Sequence, residues 1–406
     1  MAAIGPWLRS GFNIARPAGR PAAKIAIERD LDVRRRRLSD AARDRINERR
    51  RPTRPKMRSL VASPGGRMRW RSLPTPPPPG PDAAVVHPIA IATCDMDRPI
   101  GLGHTPFPMP LCFGHECVAE VLTVGERVET VKPGDRVVVP FQISCGECVM
   151  CRGGHTSNCL SVPPISMYGF GLAGGHWGGA VADELAVPFA DGMLVPLPDG
   201  IDPAAAASVA DNVSDAHRHI APYLPGLIEE GRDPEVIVFG AVSRRTVFTA
   251  SVPQYTALIA KALGASRVTV VDARPAIRRQ IEALGLDAAD PSELGGTTAP
   301  LVTDVSGHRR GTRLAVQKTA PDGFCSSAGG LHANVKVPLS AMFGRNVSLR
   351  VSRSDARAEI PAVLELMSSG KLRPELVTTQ LAPIDDAVSA LESHMRGGET
   401  KTILVE

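Results

Sequence analysis

No stretch of this chain approaches the ~20 consecutive apolar residues that a membrane helix requires, so no span is assigned. The N-terminus lacks an apolar core followed by a small-residue cleavage site, which leaves out the pattern of a secretory signal. A basic stripe of the kind that tracks nucleic acid is missing from the body of the chain. Positive charge is confined to one end. Residues 1–56 hold 16 Lys and Arg against 6 Asp and Glu, whereas the remaining residues hold 31 against 36, so the net +5 belongs to a leader and the rest is mildly acidic.

What is present is ordinary globular composition, 43% apolar and 22% charged over 406 residues. That length has room for two domains, because one core rarely grows past roughly 250–300 residues. The leader mixes Pro with charge, carries Arg runs at Arg34–Arg37 and Arg49–Arg51, and has only a short helical period around Ile25–Ile46. It is expected to be a solvated, poorly ordered extension or upstream sequence joined through a misplaced start, with a nucleic-acid arm or targeting segment as the functional alternatives. Met57 looks like a natural beginning.

From there short strands are expected at Met57–Ala62, up to Trp70, and at Val118–Val124, Arg136–Pro140 and Val181–Val187, with a Pro-rich connector at Pro74–Pro81. After Asp202 the pattern changes. Apolar runs at Val236–Phe239, Val268–Val271 and Leu301–Val305 alternate with helical stretches at Gln254–Leu263, Pro275–Leu284 and Thr312–Thr319. Such alternation predicts a parallel sheet with crossover helices. It ends near Ser340, and helices at Ala358–Ser368 and Ile384–Met395 and a strand at Lys401–Val405 close the chain.

Four of the eight cysteines, Cys145, Cys148, Cys151 and Cys159, crowd into one short loop. Thiolates so spaced can surround one Zn²⁺ tetrahedrally, and a closed four-sulfur shell leaves no position for substrate, which predicts a structural zinc. An iron–sulfur cluster and unliganded thiols are the alternatives, the latter opposed by mutual repulsion of four thiolates.

Together with Gly114-His115-Glu116, Val131-Lys-Pro-Gly-Asp-Arg-Val137 and Ile143-Ser-Cys-Gly-Glu-Cys148, this loop makes the sequence from Met57 onward resemble the zinc-containing medium-chain alcohol dehydrogenases. The resemblance implies an α/β fold: a GroES-like, β-rich catalytic domain over 57–190 and 341–406, with a Rossmann doubly wound parallel sheet inserted at 191–340. It also implies a second, open zinc. Cys94 matches the family's Cys ligand, His115 its His, Asp211 its third ligand, with Asp215 as a nearby rival, and Glu116 is an outer-shell or transient ligand. Mixed S/N/O ligation with an open position makes zinc a Lewis acid toward an alcohol. Cys112, Cys117 and Cys325 are read as core or incidental thiols. Where the family has Gly and then Ser or Thr after the catalytic Cys, this chain has Asp95 and Met96, and Pro99 replaces a relay His. Proton exit must then use another group, Asp95 or water, or turnover is compromised. Asp97 keeps the family's acidic position.

On the cofactor side, Val236–Gly240 is a good first strand, but Ala241–Gln254 lacks the later glycines of G-x-G-x-x-G and is long for the connection. Asp272 ends the next strand and would take the ribose hydroxyls, favouring NAD over NADP, although its separation from Gly240 exceeds the expected ~20 residues. Gly240 ends the first strand at the turn a pyrophosphate would approach, Ser306, Gly329 and Gly330 are placed where loops line the nicotinamide crevice, and Lys401 matches a basic position that the family uses near the pyrophosphate. The expected whole is a cytoplasmic homodimer or homotetramer with two Zn²⁺ per chain, one catalytic and one structural. It would oxidise a small-molecule alcohol to an aldehyde or ketone with hydride transfer to NAD. Neither membrane nor nucleic acid is an expected partner. The rival is a zinc-stabilised pseudoenzyme or binding protein of the same fold with impaired cofactor binding.

Overall fold

β-branched and apolar residues fill a run of short strands in the first part of the chain, each with one face to bury. The computed structural model describes residues 54–105, 107–329 and 334–406, so the leader's Arg runs, the helical period at Ile25–Ile46 and Gly330 lie outside the described residues. The strands are β1 (Lys56–Ser63), β2 (Arg67–Pro74), β3 (Ala84–Ala92), β4 (Leu111–Cys112), β5 (Glu116–Val124), β6 (Arg136–Val139), β7 (Leu185–Val187) and β8 (Val195–Pro196). A second group comes next: β9 (Glu235–Ala241), β10 (Arg267–Asp272), β11 (Asp287–Ala289), β12 (Ala299–Asp304), β13 (Thr319–Ser327) and β14 (Ser348–Val351). The chain closes with β15 (Gln380–Pro383) and β16 (Thr402–Val405).

Three sheets result. A small one has the order β2-β1-β4, and a seven-stranded one runs β15-β16-β3-β5-β6-β8 with β7 paired to β3. The two C-terminal strands thus complete the sheet that the first strands begin, and Ile403 pairs antiparallel with Ala92. The third sheet has the order β11-β10-β9-β12-β13-β14, with every pairing parallel. Its pleat sends Val236 and Val238 to one core and Ile237 and Phe239 to another, so both faces are buried, as parallel sheets require. Its edge strand β14 lies beyond residue 340, so this sheet reaches past the boundary expected from the sequence.

Among the helices are α1 (Asn212–His217), α2 (Ser251–Ala262), α3 (Pro275–Ala283), α4 (Arg309–Lys318), α5 (Ala356–Ser368) and α6 (Ala387–Arg396). One core cluster joins Ala90, Ala92 and Val118 of the seven-stranded sheet to Val209, Val213 and Ile220 around α1 and to Val236 of the parallel sheet. That shared core fixes the end of β3 and the start of β5 against α1. Among the described residues no helix is long and apolar enough to cross a membrane.

Candidate metal centre and cofactor cleft

β3 and β5 run antiparallel with Ala92 opposite Glu116, so the residues just past the end of one strand meet those at the start of the other. Cys94 lies just past the end of β3, His115 immediately precedes β5 and Glu116 opens it. Gly114 makes the turn into β5 at φ +88°, and a Cβ there would lie 2.7 Å from the Val181 side chain, so only glycine fits. Asp211 immediately precedes α1. One ligand atom from each of Cys94, His115, Glu116 and Asp211 lies within 4.8 Å of all the others, and all four residues are buried.

Cys94 Sγ is 3.3 Å from Asp211 Oδ2, and His115 Nε2 is 3.4 Å from the same oxygen. Asp97 Oδ2 accepts the Cys94 backbone N–H at 2.8 Å, while its other oxygen stands 3.7 Å from His115 Nδ1. Asn212 Nδ2 donates to Cys94 Sγ and to Asp211 Oδ2, each at 3.1 Å. Both imidazole nitrogens of His115 and Oε1 of Glu116 are buried without a hydrogen-bond partner. Buried polar atoms are normally satisfied, and orphans converging with a thiol and a carboxylate are a donor set that fits a divalent cation.

The electrostatics agree. Burial alone would lower the pKa of His115, but the Asp97 and Asp211 carboxylates outweigh it and push it up to about 9. Burial pushes the Glu116 carboxyl upward, and the Lys401 ammonium pulls it back down. Burial, then the neighbouring Asp211 and Glu116 charges, drive the Cys94 thiol well above its ordinary value. This surplus of buried acids is what a divalent cation would relieve.

The four-cysteine loop follows β6. One sulfur each from Cys145, Cys148, Cys151 and Cys159 lies within 4.8 Å of the others, as one tetrahedral ion requires. Backbone N–H groups of Cys148 and Cys145 donate to the sulfurs of Cys145 and Cys159, each at 3.3 Å, and Leu160 N donates to Cys148 Sγ at 3.4 Å. The N–H groups of Leu160 and Cys151 bring the Cys148 thiol down to about 6.

Between the parallel sheet and the Cys94 cluster lies a cavity of about 370 Å³, lined by Cys94, Met96, Phe170, Asp211, Val305 and Gly329 among others. Gly329 lines this cavity. The other cofactor residues need correction. Lys401 is fully buried and its ammonium donates to Glu116 Oε2 at 2.8 Å, Asn212 Oδ1 at 2.9 Å and the Thr93 carbonyl. An ammonium has three N–H donors, so none is left for a pyrophosphate. Asp272 is also fully buried, and Arg274 donates to it from Nε at 2.9 Å and from a terminal nitrogen at 2.8 Å. No oxygen of Asp272 is offered to a ribose, and the residue basis for preferring NAD over NADP goes with it. Ser306 turns its hydroxyl inward to Asp304 at 2.6 Å. A Cβ on Gly240 would lie 3.0 Å from Pro253 and 3.2 Å from Asp272, so this glycine serves the packing of α2 on β9 rather than an approaching phosphate. Asp95, weighed as a proton exit, has its carboxylate taken up by the N-terminus of α2. The dinucleotide's diphosphate half does not fit the chain as folded.

Two residues were missed from the sequence. Asn212 bridges Cys94 to Lys401, and Arg274 closes Asp272. An amide next to a ligand carboxylate and an Arg two places after a strand-end Asp were the available signals.

A family model described as the alcohol dehydrogenase GroES-like domain matches residues 80–199. Geraniol dehydrogenase of Castellaniella defragrans is 30% identical over 345 residues, which cover 80% of this chain and 91% of that protein. A Mycobacterium tuberculosis protein named "Probable zinc-binding alcohol dehydrogenase" is 29% identical over 356 residues, covering 84% of this chain and 87% of its own length. Among solved structures, alcohol dehydrogenase TADH from Thermus sp. ATN1 matches with a TM-score of 0.75 at 28% identity, over 86% of this chain and 99% of that one.

Proposed function

The chain belongs to the zinc-dependent medium-chain alcohol dehydrogenase family, and on that premise we propose that it interconverts an alcohol and its aldehyde or ketone at a zinc held by Cys94, His115 and Asp211, with Glu116 beside them. The observation that carries this reading is the convergence of a thiol, two orphaned imidazole nitrogens and a carboxylate in one buried cluster. Zinc bound there would supply Lewis acidity toward the alcohol or carbonyl oxygen. A second zinc in the four-cysteine loop would be structural.

The chain's own residues do the rest. Asp97 anchors the Cys94 backbone and faces His115 Nδ1, which leaves Nε2 aimed at Asp211. The Phe170 and Phe141 rings flank His115 at centroid distances of 5.0 and 5.8 Å. With Met96 and Met167 they give the cavity an apolar wall, suited to a substrate with an apolar body. Met96 and Pro99 hold no exchangeable proton and Asp95 is engaged by the N-terminus of α2, so none of the three relays the substrate's proton. A nicotinamide dinucleotide would supply the hydride acceptor, and Val305, Gly307 and Gly329, which line the cavity, are the residues that would hold its nicotinamide half. Homodimeric or homotetrameric assembly and a cytoplasmic setting are proposals that rest on family membership alone.

The test is reduction of NAD and NADP across an alcohol panel, with the zinc-loaded full-length chain. Turnover should stop on chelation and fall on the order of 100-fold or more in Asp211→Asn or Cys94→Ser, since even outer-shell changes cost 10–100-fold. Turnover that survives both would overturn the zinc site. The closed N-terminus of α2 favours a second reading, a zinc-stabilised protein of this fold that no longer takes a dinucleotide.

A further inference from the structure

A helix N-terminus following the first strand of a doubly wound sheet is the ordinary seat of a dinucleotide's diphosphate, because unpaired N–H groups and the helix dipole converge there. Here the seat is taken by the chain itself. Asp95 Oδ1 accepts from Ser251 N at 3.0 Å, from Ser251 Oγ at 2.5 Å and from Thr249 Oγ1 at 2.5 Å, and Oδ2 accepts from Val252 N at 3.2 Å. Asp95 is buried, at 8% exposure.

The preceding segment is held down around this contact. Arg274 donates to the carbonyls of Phe248 and Thr249 at 2.8 and 3.3 Å, Arg244 to that of Ala273 at 3.2 Å, and Arg98 to that of Val247 at 3.0 Å. The Phe248 ring packs so closely on Gly307 that a Cβ there would lie 2.7 Å away. Three guanidinium groups and one ring thus close residues 244–250 over the ends of β9 and β10, where adenosine and diphosphate would lie.

We propose that Asp95 is a latch: its carboxylate stands in for the cofactor diphosphate, and a dinucleotide binds only when Asp95 leaves the N-terminus of α2 and the 244–250 segment lifts. A diphosphate arriving at the same N–H groups meets a like charge already in place. The latch is wired to the metal cluster. Asp95 directly follows Cys94 in sequence, Ser251 Oγ donates to Asn212 Oδ1 at 2.9 Å, and Asn212 Nδ2 donates to Cys94 Sγ at 3.1 Å. This proposal rests on the nicotinamide-dependent reading above.

NADH titrations followed by fluorescence test it, on the full-length zinc-loaded chain and on Asp95→Asn and Asp95→Ala, with circular dichroism and zinc content confirming the fold. Asp95→Asn keeps an oxygen to cap α2, so it stays informative even where Asp95→Ala does not fold. If the open form holds a tenth of the population or less, removing the latch tightens binding by about tenfold or more. NADH should therefore bind at least about tenfold tighter to both folded variants than to wild type. Equal, tight binding by wild type and variants overturns the latch and leaves the nicotinamide reading standing. No saturable binding by any folded form overturns both.

Discussion

At the scale of single residues, the buried pair of Glu116 and Lys401 backs the candidate metal site. Their charged atoms are 2.8 Å apart and both side chains are fully buried. Breaking such a pair from one side leaves an uncompensated buried charge and costs about 3–5 kcal/mol. Lys401→Met should lose that much stability in urea unfolding of the metal-free protein, and adding Glu116→Gln should recover part of it. A loss under about 1 kcal/mol for Lys401→Met would show that the pair is not buried as described. The sequence disclosed the cluster better than its support. Cys94, His115 and Asp211 were legible because thiol, imidazole and carboxylate fall in a recognised order ahead of an intact cysteine loop. Lys401 was misread because a cation in a terminal strand carries no mark of which way it points. Only the pairing of β16 with β3 turns it onto Glu116.

Among the elements, strands with clean apolar alternation were legible and interrupted ones were not. β3 was missed because Pro88 sits inside it. The register between β3 and β5 shifts there, so proline's missing donor falls at an irregularity rather than in the ladder. β13 was legible only at its end, Ser327, since Pro321, Asp322 and Gly323 break its apolar pattern. α2 begins at Ser251, three residues earlier than its apolar period suggests, because Pro253 is tolerated in a first helical turn and Asp95 caps the end. The convergence of the cysteine loop was legible from spacing alone, since its four sulfurs meet as expected. The role proposed for it is clamping. Cys148→Ser should cost about one zinc per chain and lower the melting temperature by roughly 3 °C or more, the shift expected for a loss of about 2 kcal/mol in a chain of this size. An unchanged melting curve together with unchanged zinc content would remove the structural role from this loop.

For the whole molecule, the candidate site depends on chain segments far apart in sequence. β3 and β5 bring Cys94, His115 and Glu116, the residue before α1 brings Asp211, and the C-terminal strand brings Lys401. The fold class was legible from periodicity and resemblance together, and the doubly wound sheet stands where strands and helices alternate. The state of the cofactor cleft was not. Missing glycines signalled that the usual turn is altered, but nothing in the sequence says that a carboxylate next to a metal ligand will reach across and cap the neighbouring helix. Metal content combined with zinc X-ray absorption measures the central claim most directly, comparing wild type with the Cys94→Ala His115→Ala double variant. Wild type should hold about two zinc per chain with mixed sulfur, nitrogen and oxygen ligation, and the double variant about one in an all-sulfur shell. Wild type holding only about one zinc, ringed by sulfur alone, would contradict it.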